Sequence, residues 1–263
     1  MKVALLAHTQ LSGDFNSINA THGDYDVHAI TDEFNCTDGQ VIGLTAIRTC
    51  YSSNKPSEII DLEGDKYFKR EATDGEGGTD ADRLIRHIMK SGHTSTIEHL
   101  NFTFAIEGVS RSLLAQITRH RHLSFSVQSQ RYVKFGSSDK SEGFDFILPP
   151  TVTEEKTADM YDFVYGAPIR DRPSTEIYEE AMEVIQKAYD KLREAGVPAE
   201  DARMVLPNAA TTNLVMTGNL RALLDFYSKR SAKGAQWEIR ELADKLRNEI
   251  INVEPWAEKF FNM

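Results

Sequence analysis

The sequence predicts an α+β fold, with mixed helices around a small, largely antiparallel sheet. Three observations predict it. In "LNFTFAIE" (100–107), Leu100, Phe102, Phe104 and Ile106 alternate with Asn101, Thr103, Ala105 and Glu107, the period of a strand with one buried face. Five or six other stretches space their apolar residues for helices. Strands and helices do not alternate regularly, which separates the chain from the doubly wound α/β class. With 263 residues, 40% hydrophobic and 27% charged, the chain is an ordinary globular protein, read as one domain over 1–263.

The opening "MKVALLAHTQ" reads as a first strand and lacks the longer apolar core and cleavage site of a signal peptide. No apolar run reaches bilayer length, so no membrane role and a cytoplasmic location are expected. Asp38 is the expected cap of a helix carrying Val41, Ile42, Leu44 and Ile47, ended by the serines of "RTCYSS". Thr79 and Asp82 form an acidic capping box for a helix with Leu84, Ile85, Ile88 and Met89 on one face, stopped at Gly92.

After the 100–107 strand, Ser110 caps "RSLLAQITRH", whose Leu113, Leu114 and Ile117 are apolar and whose Gln116 and Arg119 lie near its end. Residues 136–173, rich in Gly, Asp, Ser and Pro around an expected strand "FDFIL", read as an inserted excursion. Pro173 and Ser174 open a long helix through Leu192, with Ile177, Ala181, Val184, Ile185 and Ala188 as its apolar register, and a shorter helix follows to Pro207. "TTNLVMTG" is a strand, after which Asn219 caps "LRALLDFYSKR", with Leu220, Leu223, Leu224 and Tyr227 expected inside and Arg221 spaced to pair with Asp225. A last helix covers "AQWEIRELADKLRNEI".

The formal net charge is -10, yet Arg119, Arg121 and Arg131 fall within thirteen residues that contain no acid. A guanidinium pairs bidentately with phosphate or carboxylate and stays charged at any working pH. With Arg203, Arg221 and Arg230 these make six candidate anion clamps, although any one arginine alone would find a partner among the 40 Asp and Glu residues. Ser124, Ser126 and Ser129 offer neutral donors beside them, or are solvated turn residues.

Other chemistries fit less well. His87, His93, His99, His120 and His122 crowd one span, but without ligand spacing on a helix face and with arginines beside them, so no metal is expected. Ser129 lacks the glycines of a nucleophile elbow, and Cys50 sits in an apolar register where burial is expected; Cys36 and Cys50 are read as reduced structural thiols. "DGEGGTD" is flanked by acids and fails as a dinucleotide loop. The competing class is a nucleic-acid module stacking bases on Phe125 and Tyr132, against which the acidic balance argues.

The motif "RHRHLSFSVQSQR" has RHR, seven residues, then S-x-R, and so resembles the signature of the flavin-dependent thymidylate synthases, the ThyX family. "RTCYSS", "GHTSTIEHLNFTF", "ARMVLPNAATTNLVMTGNLRALLDF" and "KRSAKGAQWEIREL" resemble family segments in the same order; residues 9–38 and 136–173 compare least. The resemblance implies a homotetramer with shared active sites that makes thymidylate from deoxyuridylate (dUMP). It also implies FAD, methylenetetrahydrofolate as carbon donor and NADPH as reductant.

By motif position, the cofactor contacts would be His93, Ser95, Arg119, His120, Arg121, Val127, Asn219, Leu220, Arg221 and Asp225. The substrate contacts would be Gln116, Arg119, Val127, Gln128, Ser129, Gln130, Arg131, Arg203 and Arg230, with Arg230 the catalytic cation. Val127 stands where relatives often carry Glu or Gln, and Asp225 where many carry Asn or His. The first departure leaves only backbone groups to serve a ligand. The second places a negative charge near FAD unless Arg221 pairs with it.

Overall fold

The computed structural model describes residues 1–13, 15, 29–161 and 168–262. Four strands, β1 (Lys2–His8), β2 (Asn101–Ser110), β3 (Leu123–Val127) and β6 (Thr211–Asn219), form one sheet in the order β1-β2-β6-β3. Neighbours run antiparallel. Thr9 N–H donates to Asn101 O at 3.0 Å while Lys2 pairs with Glu107 at 3.7 Å. Thr103 bonds Thr217 at 2.9 Å, and Gly108 N–H donates to the Asn213 side chain at 2.9 Å. At the last pair a Cβ on Gly218 would lie 2.4 Å from Leu123 Cδ2, so glycine permits that close approach.

The alternation read in 100–107 holds: Leu100, Phe102, Phe104 and Ile106 are all buried. The chain divides into two compact units, one of Met1–Lys2, Ile106–Arg119 and Ser126–Leu214, the other of Val3–Ala105, His120–Phe125 and Val215–Met263. No helix among the described residues is long and apolar enough to cross a membrane.

In the second unit, α1 (Ala29–Phe34), α2 (Asp38–Tyr51), α3 (Ile59–Phe68) and α4 (Asp80–Lys90) enclose a core of Val41, Leu44, Ile59, Ile60 and Tyr67. Thr37, not Asp38, caps α2: its N–H donates to Gln40 Oε1 at 2.9 Å and its hydroxyl accepts from Gln40 N at 3.2 Å. The Thr79–Asp82 box on α4 forms as read, with Thr79 N–H donating to Asp82 Oδ2 at 2.8 Å. The two boxes are joined, because Gln40 Nε2 donates to Asp82 Oδ1 at 2.6 Å. Glu254, 1% exposed, completes the α2 cap by accepting from Gly39 N–H at 3.1 Å and from Thr37 and Trp256.

Gly92 stops α4 with φ 78°, as expected of the left-handed residue after a helix. Cys50 is exposed, contrary to expectation; it falls off the stripe of Val41, Leu44 and Ile47, in the last turn. Cys36 is half-buried, and burial with Asp38, Glu254 and Asp82 nearby pushes its thiol up to about 12, which leaves it protonated and inert.

In the first unit, α5 (Arg111–Ile117) starts at its Ser110 cap, and α6 (Ser174–Glu194) and α7 (Ala199–Ala202) pack Tyr189 and Ala202 on Phe135. The buried Tyr189 hydroxyl accepts from Phe135 N–H at 3.2 Å. The register expected for α6 is overturned: Met182 and Tyr189 are its buried residues, while Ala181, Val184 and Ala188 are exposed. "FDFIL" is not a strand either, since only an isolated bridge, Phe146 to Ala210, forms before Pro149 and Pro150. The excursion instead holds an antiparallel hairpin, β4 (Thr157–Tyr161) with β5 (Pro168–Pro173), and its residues 162–167 lie outside the described ones.

Candidate functional site

Helix α8 (Leu220–Arg230) is fixed at its start. Asn219 caps it by accepting from Ala222 N–H at 2.9 Å, and Leu220 N–H donates to Leu100 O at 2.8 Å. Leu220, Leu223 and Phe226 are its buried face, whereas Leu224 and Tyr227 are only half-buried. It packs on the 3-10 turn Thr94–Ile97 and on α9 (Trp237–Val253). The structure thus brings the expected cofactor residues His93 and Ser95, at that turn, toward the helix that carries Asn219, Leu220 and Arg221.

The electrostatics of α8 differ from the sequence reading. Arg221 pairs with Glu98, while Asp225 is held by Lys229 at 2.7 Å. Both partners of Asp225 were at helical spacing, and the choice went to Lys229 because Glu98 competes for Arg221. Asp225 is thus neutralised within its own helix. Arg230, in the last turn, donates its Nε–H to His120 Nε2 at 2.8 Å, and the His120 ring meets Phe226 edge-on at 4.8 Å.

The motif loop leaves α5 at Thr118 and turns through His122, whose φ is 65°. Arg119 and Arg121 are exposed and have no ion-pair partner among the described residues. Beyond β3, where Val127 is the half-buried last residue, Gln128 N–H donates to Asn213 O at 2.9 Å and its Oε1 accepts from Asn213 Nδ2 at 3.1 Å. Ser129 Oγ accepts from Arg131 N–H at 3.2 Å, a bond that shapes the loop, and Gln130 is buried at 9%. Gln116 Nε2 donates to Ser112 O at 3.4 Å.

Arg131 and Arg203 converge on one residue: Arg131 Nε–H donates to the Glu200 carboxylate at 3.0 Å and Arg203 Nε–H to Glu200 O at 2.9 Å. The cluster read as lacking any internal acid is therefore answered by an acid distant in sequence. An ion pair this exposed, 53% and 49%, is worth about 0–1 kcal/mol, so a phosphate can displace Glu200 at little cost.

The expected residues divide between the units. Gln116, Arg119, Val127, Gln128, Ser129, Gln130, Arg131 and Arg203 lie in the first; His93, Ser95, His120, Arg121, Asn219, Leu220, Arg221, Asp225 and Arg230 lie in the second.

Sequence reasoning missed two further residues. Tyr51 Oη lies 2.8 Å from His93 Nδ1 with the rings edge to face; "RTCYSS" contained it, but nothing in its spacing singled it out. Arg111, the half-buried first residue of α5, has no acidic partner among the described residues, and burial followed by the nearby Arg203 lowers its pKa. Its signal was a charge inside an otherwise apolar helix start. Among the described residues no group of His, Cys, Asp and Glu could hold a metal ion.

The Thy1 family model, thymidylate synthase complementing protein, matches residues 34–256. A flavin-dependent thymidylate synthase of Haloarcula marismortui is 40% identical over 205 residues, 74% of this chain and 76% of that protein. One of Geobacter sulfurreducens is 40% identical over 220 residues, 83% and 80% of the two chains. Among solved structures, the UMP/dUMP methylase PolB of Streptomyces cacaoi, bound with 5-Br dUMP, has the same fold with TM-score 0.64 at 22% identity, covering 99% of this chain and 94% of that one. ThyX of Helicobacter pylori, complexed with FAD and dUMP, gives 0.59 at 20% identity, covering 99% and 98%.

Proposed function

The chain belongs to the thymidylate synthase complementing protein family, Thy1, and from that membership we propose that it is a flavin-dependent thymidylate synthase. It methylates dUMP reductively to dTMP, with methylenetetrahydrofolate as carbon donor and NADPH as reductant. It acts as one cytoplasmic catalytic domain, assembled as a homotetramer with shared active sites. The observation that carries the reading is that the family match, 34–256, encloses every residue expected at the site, from His93 to Arg230.

The residues present fit FAD. Arg119 and Arg121 are exposed cations without ion pairs among the described residues, in a chain of net charge -10, and a pyrophosphate supplies the anion they lack. The first turn of α8, with Asn219, Leu220 and Arg221, and the turn at His93 and Ser95 complete the expected cofactor contacts. Bound FAD would carry hydride from NADPH to the reaction, chemistry that no side chain here offers.

The chain's own residues bind and polarise. Arg131 exchanges the Glu200 carboxylate, and Arg203 the Glu200 backbone carbonyl, for the dUMP phosphate. Gln116, Gln128, Ser129 and Gln130 shape and line the nucleotide loop, and Val127 contributes backbone only. Arg230, fixed at the end of α8, stabilises the negative charge that develops on the pyrimidine when it is activated.

The test is product formation. Methylenetetrahydrofolate labelled in its one-carbon unit should give labelled dTMP only when dUMP, FAD and NADPH are all supplied. Label in UMP instead of dUMP would move the reading to a ribonucleotide methylase.

A further inference from the structure

His120 sits in the motif loop, where motif position makes it a cofactor contact, yet its Nε2 lies 2.8 Å from Arg230 Nε. The arginine can only donate there, since guanidinium nitrogens have no acceptor capacity. Nε2 must therefore carry a lone pair, which makes the imidazole neutral with its proton on Nδ1. The ring is also held from the side, edge-on to Phe226 at 4.8 Å and 75°. Phe226 is buried at 1% and precedes Arg230 by one turn of α8. One helix thus supplies both the wall that orients the imidazole and the arginine that the imidazole holds.

We propose that His120 is a positioning residue for Arg230: its neutral imidazole anchors the guanidinium through Nε and sets the direction in which the cation faces the pyrimidine. The inference rests on the proposed role of Arg230 and adds to it the group that aims that charge. An arginine at a helix end has several rotatable bonds and loses rotamer freedom when it acts. A neutral acceptor at Nε removes that freedom without cancelling the positive charge, which a carboxylate in the same place would do.

The experiment uses the FAD-loaded full chain and compares His120→Leu, His120→Gln, Arg230→Ala and the His120→Leu/Arg230→Ala double variant. His120→Leu should lower kcat about 10–100-fold, the scale of a misplaced catalytic group. Its KM for dUMP and its flavin absorbance should stay near wild type. Glutamine, which offers an acceptor oxygen, should recover part of the loss. The double variant should be no slower than Arg230→Ala alone, because the imidazole acts only through the arginine.

Multiplying losses in the double variant, or a His120→Leu protein that sheds flavin while keeping kcat per bound flavin, would overturn the proposal and return His120 to the cofactor. Should His120→Leu not fold, His120→Gln combined with Arg230→Ala decides: a combined loss no deeper than that of Arg230→Ala alone supports the anchor, and multiplying losses contradict it. If the wild type makes no thymidylate, the function reading fails on its own. Melting temperatures of His120→Leu, Arg230→Ala and their combination still test the bond, since bonded partners give a combined shift smaller than the sum.

Discussion

Two sets of arginines in this molecule have the same chemistry and opposite surroundings. In the helical scaffold, Arg86 is 7% exposed, grips Asp74 with two hydrogen bonds of 2.9 and 2.8 Å, and donates to Gly77 O at 3.1 Å. Arg48 likewise holds Glu63 at 2.6 Å and covers the Tyr67 ring at 5.5 Å. At the candidate site Arg119 and Arg121 are exposed and without ion pairs among the described residues, and Arg131 and Arg221 are more than half exposed beside acids that are themselves exposed. A desolvated, chelated guanidinium cannot change partners without leaving a buried charge behind. A wet one can, at a cost of about 1 kcal/mol or less. Ligand chemistry is therefore expected only of the second set.

The sharpest way to break the comparison is to remove one scaffold arginine and, at the site, the half-buried arginine bonded to His120. Arg230→Ala should lower turnover by about 10²–10³, as loss of a preorganised charge does. It should leave FAD bound and the melting temperature near wild type; near-normal turnover would take Arg230 out of the mechanism. Arg86→Leu should do the reverse, lowering Tm by about 6–12 °C while the folded fraction keeps its flavin and its turnover. A stable, inactive Arg86→Leu would show that the scaffold set also serves the site.

Arg111 sharpens the comparison because it is half-buried, as Arg48 is, yet has no acidic partner among the described residues, as Arg119 and Arg121 have none. If it belongs to the site, Arg111→Gln should weaken dUMP binding about three- to tenfold, the scale of one charge-assisted contact, with a small gain in stability as repulsion from Arg203 is relieved. Calorimetric titration and a melting curve read both signs.

The smallest effect is one of pH. Arg86 hydrogen bonds hold Asp74 at about 2, below its ordinary 3.8. Because the folded value is the lower one, the stabilisation is fully present above pH 3.8 and fades as pH falls through about 2. Asp74→Asn should lower Tm near neutrality and flatten its fall across that acid window, and an unchanged acid slope would mean that other carboxylates set it.

Much of the fold was legible because the signals were local. The 100–107 alternation, the Thr79–Asp82 box, the Ser110 and Asn219 caps and the Gly92 stop each depend on a few neighbouring residues, and each formed. Thr37 with Gln40 was equally local, a T-x-x-Q box overlooked in favour of Asp38. The α6 register failed for a different reason. That helix carries two apolar rows, and tertiary packing chose Met182 and Tyr189. The excursion has weak periodicity, so neither the missing strand at 144–148 nor the β4–β5 hairpin could be read.

At the site, the motif supplied the residue types and their order, but partners were invisible. Glu200 for Arg131, Glu98 for Arg221, Lys229 for Asp225 and His120 for Arg230 are choices made by three-dimensional neighbours. Arg111 and Tyr51 escaped because a lone arginine or tyrosine carries no spacing signal.

The measurement closest to the central claim is the visible spectrum of the purified protein, reconstituted with FAD, freed of excess and reduced anaerobically with NADPH. The expected result is a bound oxidised flavin that NADPH bleaches and that dUMP with methylenetetrahydrofolate reoxidises as dTMP appears. A protein that retains no flavin, or whose reduced flavin ignores both substrates, would contradict it.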